Sequence, residues 1–162
     1  MTRLLIFSLL IMFSCTPEGN PSATQTDEIT ATDASGYNAE LAKEVGADDY
    51  GMRQYVMAFL KAGPNRSQDS LEAANLQRAH LDNISRLAEA GKLVLAGPFM
   101  DDGEIRGIYI FDVKTIEEAE ALTATDPAIQ AGRLEMELHP WYGSAAVMKI
   151  NELHTQVAKK GI

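Results

Sequence analysis

Leu76-Gln77-Arg78-Ala79-His80-Leu81-Asp82-Asn83-Ile84, running on to Gly91 and then into Lys92-Leu93-Val94-Leu95-Ala96-Gly97-Pro98, decides the fold of this chain. At about 100° per residue, Ala73, Leu76, His80, Ile84 and Leu87 fall within one narrow arc, and Arg78, Asp82, Ser85 and Glu89 lie roughly opposite. Such a stripe belongs to a helix that lays one face on a core. N-cap candidates at Ser67 to Ser70 and a C-terminal glycine at Gly91 bound it. Leu93 to Ala96 then reads as a short buried strand closed by Gly97-Pro98. His80 sits in the stripe where leucine would pack better, with Asn83 on its flank, and is the first candidate for chemistry.

Upstream, Gln54 to Lys61 is a near-continuous apolar run, rich in aromatic and branched residues and broken by Gly63-Pro64-Asn65; it predicts a central strand. Downstream, Phe99 to Glu104 is a polar turn of the Asp-Gly type that joins antiparallel strands, and Gly107 to Val113 is a third strand. Thr115-Ile116-Glu117-Glu118 spells a capping box. Asp126-Pro127 opens another short helix, with the aspartate as N-cap and the proline in the first turn. Arg133 to His139 alternates polar and apolar, so one face of that strand enters the core, and Pro140 to Gly143 closes it.

The order strand, helix, strand, strand, helix, strand is the split βαβ arrangement of an α+β, ferredoxin-like βαββαβ domain. Val147, Ile150, Leu153 and Val157 add a C-terminal amphipathic helix from about Ser144. The sheet would carry its helices on one face. The other face would leave Tyr109 and Phe111 wet in a monomer, so a homodimer pairing two sheets face to face is expected.

The N-terminal segment reads as an address. Arg3 precedes the apolar run Leu4 to Phe13, which is shorter than the roughly 20 residues a spanning helix needs, as in a secretory signal peptide. Ser14-Cys15 resembles a bacterial lipobox with Cys15 as the lipidated residue, although Met12 and Phe13 depart from its commonest form. An ordinary signal peptide is the alternative. Thr16 in place of aspartate favours export to the cell envelope and the periplasmic side of an outer membrane. The expected organisation is a signal peptide at 1–14, a lipidated N-terminus and flexible tether at 15–50, the folded domain at 51–143 and the terminal helix at 144–162. Within the tether, Asn38 to Val45 has the composition for a helical turn or two before Gly46, against the simpler reading of a polar linker.

With 162 residues, 46% of them hydrophobic, the chain suffices for one domain with a real core. A formal net charge of -9 without a basic cluster argues against nucleic acid as a partner. A single cysteine excludes an intramolecular disulfide. His80, His139 and His154 lack metal-ligand spacing, and no nucleophile turn, phosphate loop or dinucleotide fingerprint occurs. No metal and no cofactor are expected.

Ala79-His80-Leu81, the segment from Gly91 to Gly97-Pro98, the apolar third strand, Asp126-Pro127 and the strand ending Pro140-Trp141 together resemble the YCII-related (YciI-like) family over about Gln54 to Gly143. The resemblance implies a ferredoxin-like dimeric α/β barrel, related in shape to muconolactone isomerase and to a dehydrochlorinase of chlorinated hydroxyquinols. It also implies an active-site histidine and aspartate, falling on His80 and Asp126, with Asp101 the rival for the second role because it follows Gly97-Pro98. Gly97 and Pro98 would line the substrate region, and His139 and Trp141 would line a central cavity in a face-to-face dimer.

Each residue has an ordinary explanation beside the functional one: His80 as a satisfied core residue, Asp126 as an N-cap, His139 on a solvated face and Trp141 as a packing plug. Two functions follow. One is a cofactor-independent isomerase or lyase on a small cyclic or hydroxylated substrate, with His80 as base and Asp126 orienting it. The other is a non-catalytic ligand-binding or accessory domain of the same fold, tethered to the membrane through Cys15.

Overall fold

The computed structural model describes residues 36–161; the expected signal peptide, Cys15 and most of the expected tether lie outside them. Within these residues the elements are α1 (Ala39–Glu44), β1 (Met52–Ala62), α2 (Ser70–Glu89), β2 (Leu93–Pro98) and β3 (Ile105–Phe111). Then come α3 (Ile116–Thr123), α4 (Pro127–Gln130), β4 (Leu134–Ser144), a 3-10 turn (Ala145–Lys149) and α5 (Ile150–Val157). The four strands form one antiparallel sheet in the order β2-β3-β1-β4, the ferredoxin-like arrangement.

Local chemistry starts and stops the elements. Asp69 caps α2 by accepting the Glu72 amide at 2.8 Å, and Gly91, at φ +67, takes the left-handed conformation that ends it. The capping box of α3 is complete: Thr115 accepts from the Glu118 amide and the Glu118 carboxylate accepts from the Thr115 amide. β1 lies centrally, paired with β3 on one side and β4 on the other, which is why both of its faces are apolar.

One face of the sheet packs under α2 and α3. Val56, Ala58 and Leu60 of β1, Leu93 of β2, and Tyr109 and Phe111 of β3 join Leu87 and Ala119 in the larger core cluster. The second face gathers Tyr55, Ile110 and Val94 with Met57, Leu95 and Trp141, and the 3-10 turn lays Val147 and Met148 on it. Asn151 of α5 holds the Leu93 carbonyl at 2.8 Å, pinning the C-terminal segment to β2.

Two expectations are corrected. Tyr109 and Phe111 do not face outward; both are buried on the helix side, and Ile110 takes the second face. β3 is apolar on both faces, so its period-2 pattern has no polar set to mark the outside. The tether also does not reach residue 50. Asn38 caps α1, Val45 is buried, and Arg53 grips this segment, donating to the Val45 carbonyl at 2.9 Å and to Asp112 at 2.5 Å. Asp48 accepts the Tyr50 and Met52 amides and the Tyr142 hydroxyl. These partners lie up to 94 residues apart in sequence, beyond the reach of local composition.

Candidate functional site

His80 projects from the buried stripe of α2 toward the turn between α3 and α4. There Asp126, fully buried, divides its carboxylate between two duties. Oδ1 accepts the Ala128 amide at 2.8 Å as the N-cap of α4, and Oδ2 accepts from His80 Nδ1 at 2.6 Å. A carboxylate only accepts, so the imidazole proton belongs on Nδ1 and Nε2 carries the lone pair. The Tyr109 hydroxyl donates to that lone pair at 3.3 Å, with the two rings stacked 6.2 Å apart at 19°. Burial, and secondarily the negative charge of Asp126, pushes the Tyr109 phenol far above its ordinary value. It therefore stays protonated, as a donor.

A second polar link stitches α2 to the same turn. Buried Asn83 accepts from Arg86 at 2.6 Å, and Arg86 also reaches the Thr125 hydroxyl, next to Asp126, at 2.8 Å. Among the described residues no buried side-chain nitrogen or oxygen lacks a partner. His80 is only 6% exposed, yet it borders a cavity of about 790 Å³. Tyr109, Gly97, Pro98, Leu60 and Ile84 border it too. The backbone of β2 closes tightly over β3 there: a Cβ on Gly107 would meet the Gly97 carbonyl oxygen at 2.6 Å.

Of the residues singled out from the sequence, the structure brings together His80, Asp126, Gly97 and Pro98. It separates the others. Asp101 is exposed and accepts the Gly103 amide at 3.1 Å in its own turn, with no contact to His80; its short side chain satisfies the loop instead. His139 is exposed, bonded to Glu137 at 2.8 Å and edge-on to Phe59 at 5.6 Å. Trp141 packs 5.6 Å from Tyr55 on the second face. It borders a separate depression of about 740 Å³ with Arg53 and Asp112, which shares no lining residue with the His80 cavity. Strand alternation is the reason: Leu134, Met136 and Leu138 of β4 pack on the helix-side core, so His139 and Trp141 point the other way.

Tyr109 is the member of the site that the sequence pattern does not reveal. A signal for it exists in the histidine itself, since a buried imidazole needs a partner on each nitrogen and an aspartate supplies only one. Among the described residues no cluster of three or more histidine, cysteine, aspartate or glutamate side chains could hold a metal ion.

A family model described as the YCII-related domain matches residues 55–142. The chain belongs to the YCII-related family. The matched span includes His80, Tyr109 and Asp126 and ends in β4. One solved structure similar to this YCII-related chain is the 5-chloro-2-hydroxyhydroquinone dehydrochlorinase of Burkholderia phenoliruptrix AC1100, in complex with 2,5-dihydroxybenzoquinone. It is 19% identical, with a TM-score of 0.41, and the match covers 55% of this chain and 93% of that one. No curated protein matches the sequence.

Proposed function

We propose that this YCII-related protein is a cofactor-independent enzyme of the proton-transfer type, an isomerase or lyase acting on a small cyclic or hydroxylated molecule. The observation that carries the reading is the hydrogen bond of 2.6 Å between His80 Nδ1 and the buried Asp126 carboxylate, beside an open cavity. It leaves Nε2 as a base. A substrate carbon or oxygen acid would give its proton to Nε2, and the imidazolium formed would be stabilised through Nδ1–H by Asp126. The released electron pair moves onto an adjacent carbonyl oxygen or expels a leaving group from the neighbouring carbon. Tyr109, freed from Nε2, donates its hydroxyl proton in a hydrogen bond to the oxygen that gains charge. Isomerisation returns the proton to a second carbon, and elimination passes it to the leaving group or to water.

The test is deuterium incorporation from D2O into a panel of small lactones, cyclic ketones and hydroxylated rings, or loss of a leaving group from them. Wild type should turn over at least one compound, and His80→Gln should lose about 10²- to 10⁴-fold of that rate. Equal rates for both would overturn the proposal.

A second reading, a non-catalytic small-ligand-binding domain, is favoured by the low exposure of His80 and by the Tyr109 hydroxyl already on Nε2. Ligand binding without turnover anywhere in the panel would favour it. We also propose export with lipidation at Cys15, from the sequence, and a homodimer packed through the second sheet face, where half-buried Met57 and Phe59, rather than Tyr109 and Phe111, would be covered. Mass spectrometry of the mature N-terminus tests the first, and an unmodified Cys15 would refute it. Sedimentation tests the second, and a monomer at micromolar concentration would refute it.

A further inference from the structure

The charges around the His80 cavity run against those of the chain. Lysine and arginine total 14 against 23 aspartate and glutamate, yet the lining residues of fixed charge in this cavity are Arg66, Arg106 and Arg133, with no acidic residue among the lining. None of the three is ion-paired among the described residues. Arg66 lies in the loop after β1. Arg133, just before β4, donates to Gln68 of the same loop at 3.2 Å, and Arg106 donates to the Gly103 carbonyl at 3.1 Å. The partners of Arg106 and Arg133 are neutral, and among the described residues no carboxylate pairs with any of the three. The Asp126 carboxylate is fully buried, held by the Ala128 amide and the imidazole N–H, and does not line the cavity.

Guanidinium groups bind carboxylate and phosphoryl oxygens through paired, charge-assisted hydrogen bonds, and a rim that excludes carboxylates selects for anions by sign. Leu60, Ile84 and Leu134 give the same cavity an apolar wall. We infer that this cavity, taken as the reaction site proposed above and resting on that reading, accepts a small molecule with one oxyanion group, carboxylate or phosphoryl. Arg66 and Arg133 receive the anion at the rim while a compact apolar body lies toward His80.

Benzoate, phenyl phosphate and benzyl alcohol, titrated into the full-length chain and followed at the backbone amides of Gly97, Gly107 and Ala128, test this by NMR. At least one anion should bind about tenfold or more tightly than benzyl alcohol, and the tighter of the two identifies carboxylate or phosphoryl. Arg66→Gln and Arg133→Gln should each reduce that preference. Equal affinity for all three probes, no shift at those amides, or a preference unchanged in both arginine variants would overturn the inference. The two proposals fail separately. Retained anion preference in His80→Gln without deuterium exchange by wild type would remove only the proton-transfer reading, whereas exchange on neutral compounds without any anion preference would remove only this one.

Discussion

Replacing His80 by leucine separates a packing role from a paired one. Leucine adds apolar surface to a stripe that wants it, worth about 1.5 to 3 kcal/mol if fully buried. Against that, it leaves the buried Asp126 carboxylate with the Ala128 amide alone. Removing one partner of a buried pair costs about 3 to 5 kcal/mol. The lost pairing equals or outweighs the gain in packing, and His80→Leu should destabilise the fold by about 0 to 3.5 kcal/mol, about 2 kcal/mol at the middle of both ranges. Asp126→Asn keeps an oxygen for the cap of α4 and gives up the charge-assisted bond to Nδ1, a loss of about 1.5 to 3 kcal/mol. The double variant removes both ends of the bond, so its cost should fall short of the sum by about 1 to 3 kcal/mol. Urea unfolding of the four proteins, with midpoints compared at equal slope, measures this. A stabilised His80→Leu, or costs that add within about 0.5 kcal/mol, would refute the reasoning that the pair is one unit.

Further outcomes follow from the same geometry. The Tyr109 phenol is raised in the folded state, so its contribution is whole below the unfolded tyrosine value of about 10 and is lost as pH rises above it; Tyr109→Phe should flatten the alkaline fall in stability, measured by urea midpoints between about pH 8 and 11. The Glu118 carboxylate is held below its ordinary range by the Lys114 and Thr115 amides, so its contribution is present above about pH 4.3 and is lost as pH falls through the depressed value. Glu118→Gln should therefore lower the midpoint at neutral pH and lose that difference in acid. Gly107→Ala should cost about 1 to 3 kcal/mol, because the obstructing atom is the Gly97 backbone oxygen, which cannot swing away; a neutral variant would contradict the tight closure of β2 on β3.

Much of the architecture could be read locally. The stripe of α2, the capping box at Thr115 and the cap at Asp126 are short-range signals, and the structure realises each of them. Outcomes set by tertiary register could not be read that way. Tyr109 and Ile110 are both apolar neighbours on β3, and only packing chooses which meets the helices. The choice between Asp126 and Asp101 was likewise tertiary, since 46 residues separate His80 from the aspartate it bonds. The segment before β1 is gripped by Arg53, which holds the Val45 carbonyl and also reaches Asp112, 59 positions away. The arginines of the cavity come from separate loops and strands, so their shared sign emerges only after folding.

On the proposed function, Nε2 of His80, set by Asp126, acts as the base. Deuterium exchange from D2O into small cyclic carbon acids, compared in wild type, His80→Gln and Asp126→Asn, tests it most directly. Wild type should exchange, His80→Gln should lose about 10²- to 10⁴-fold and Asp126→Asn should lose clearly; equal exchange by all three would contradict a base at Nε2.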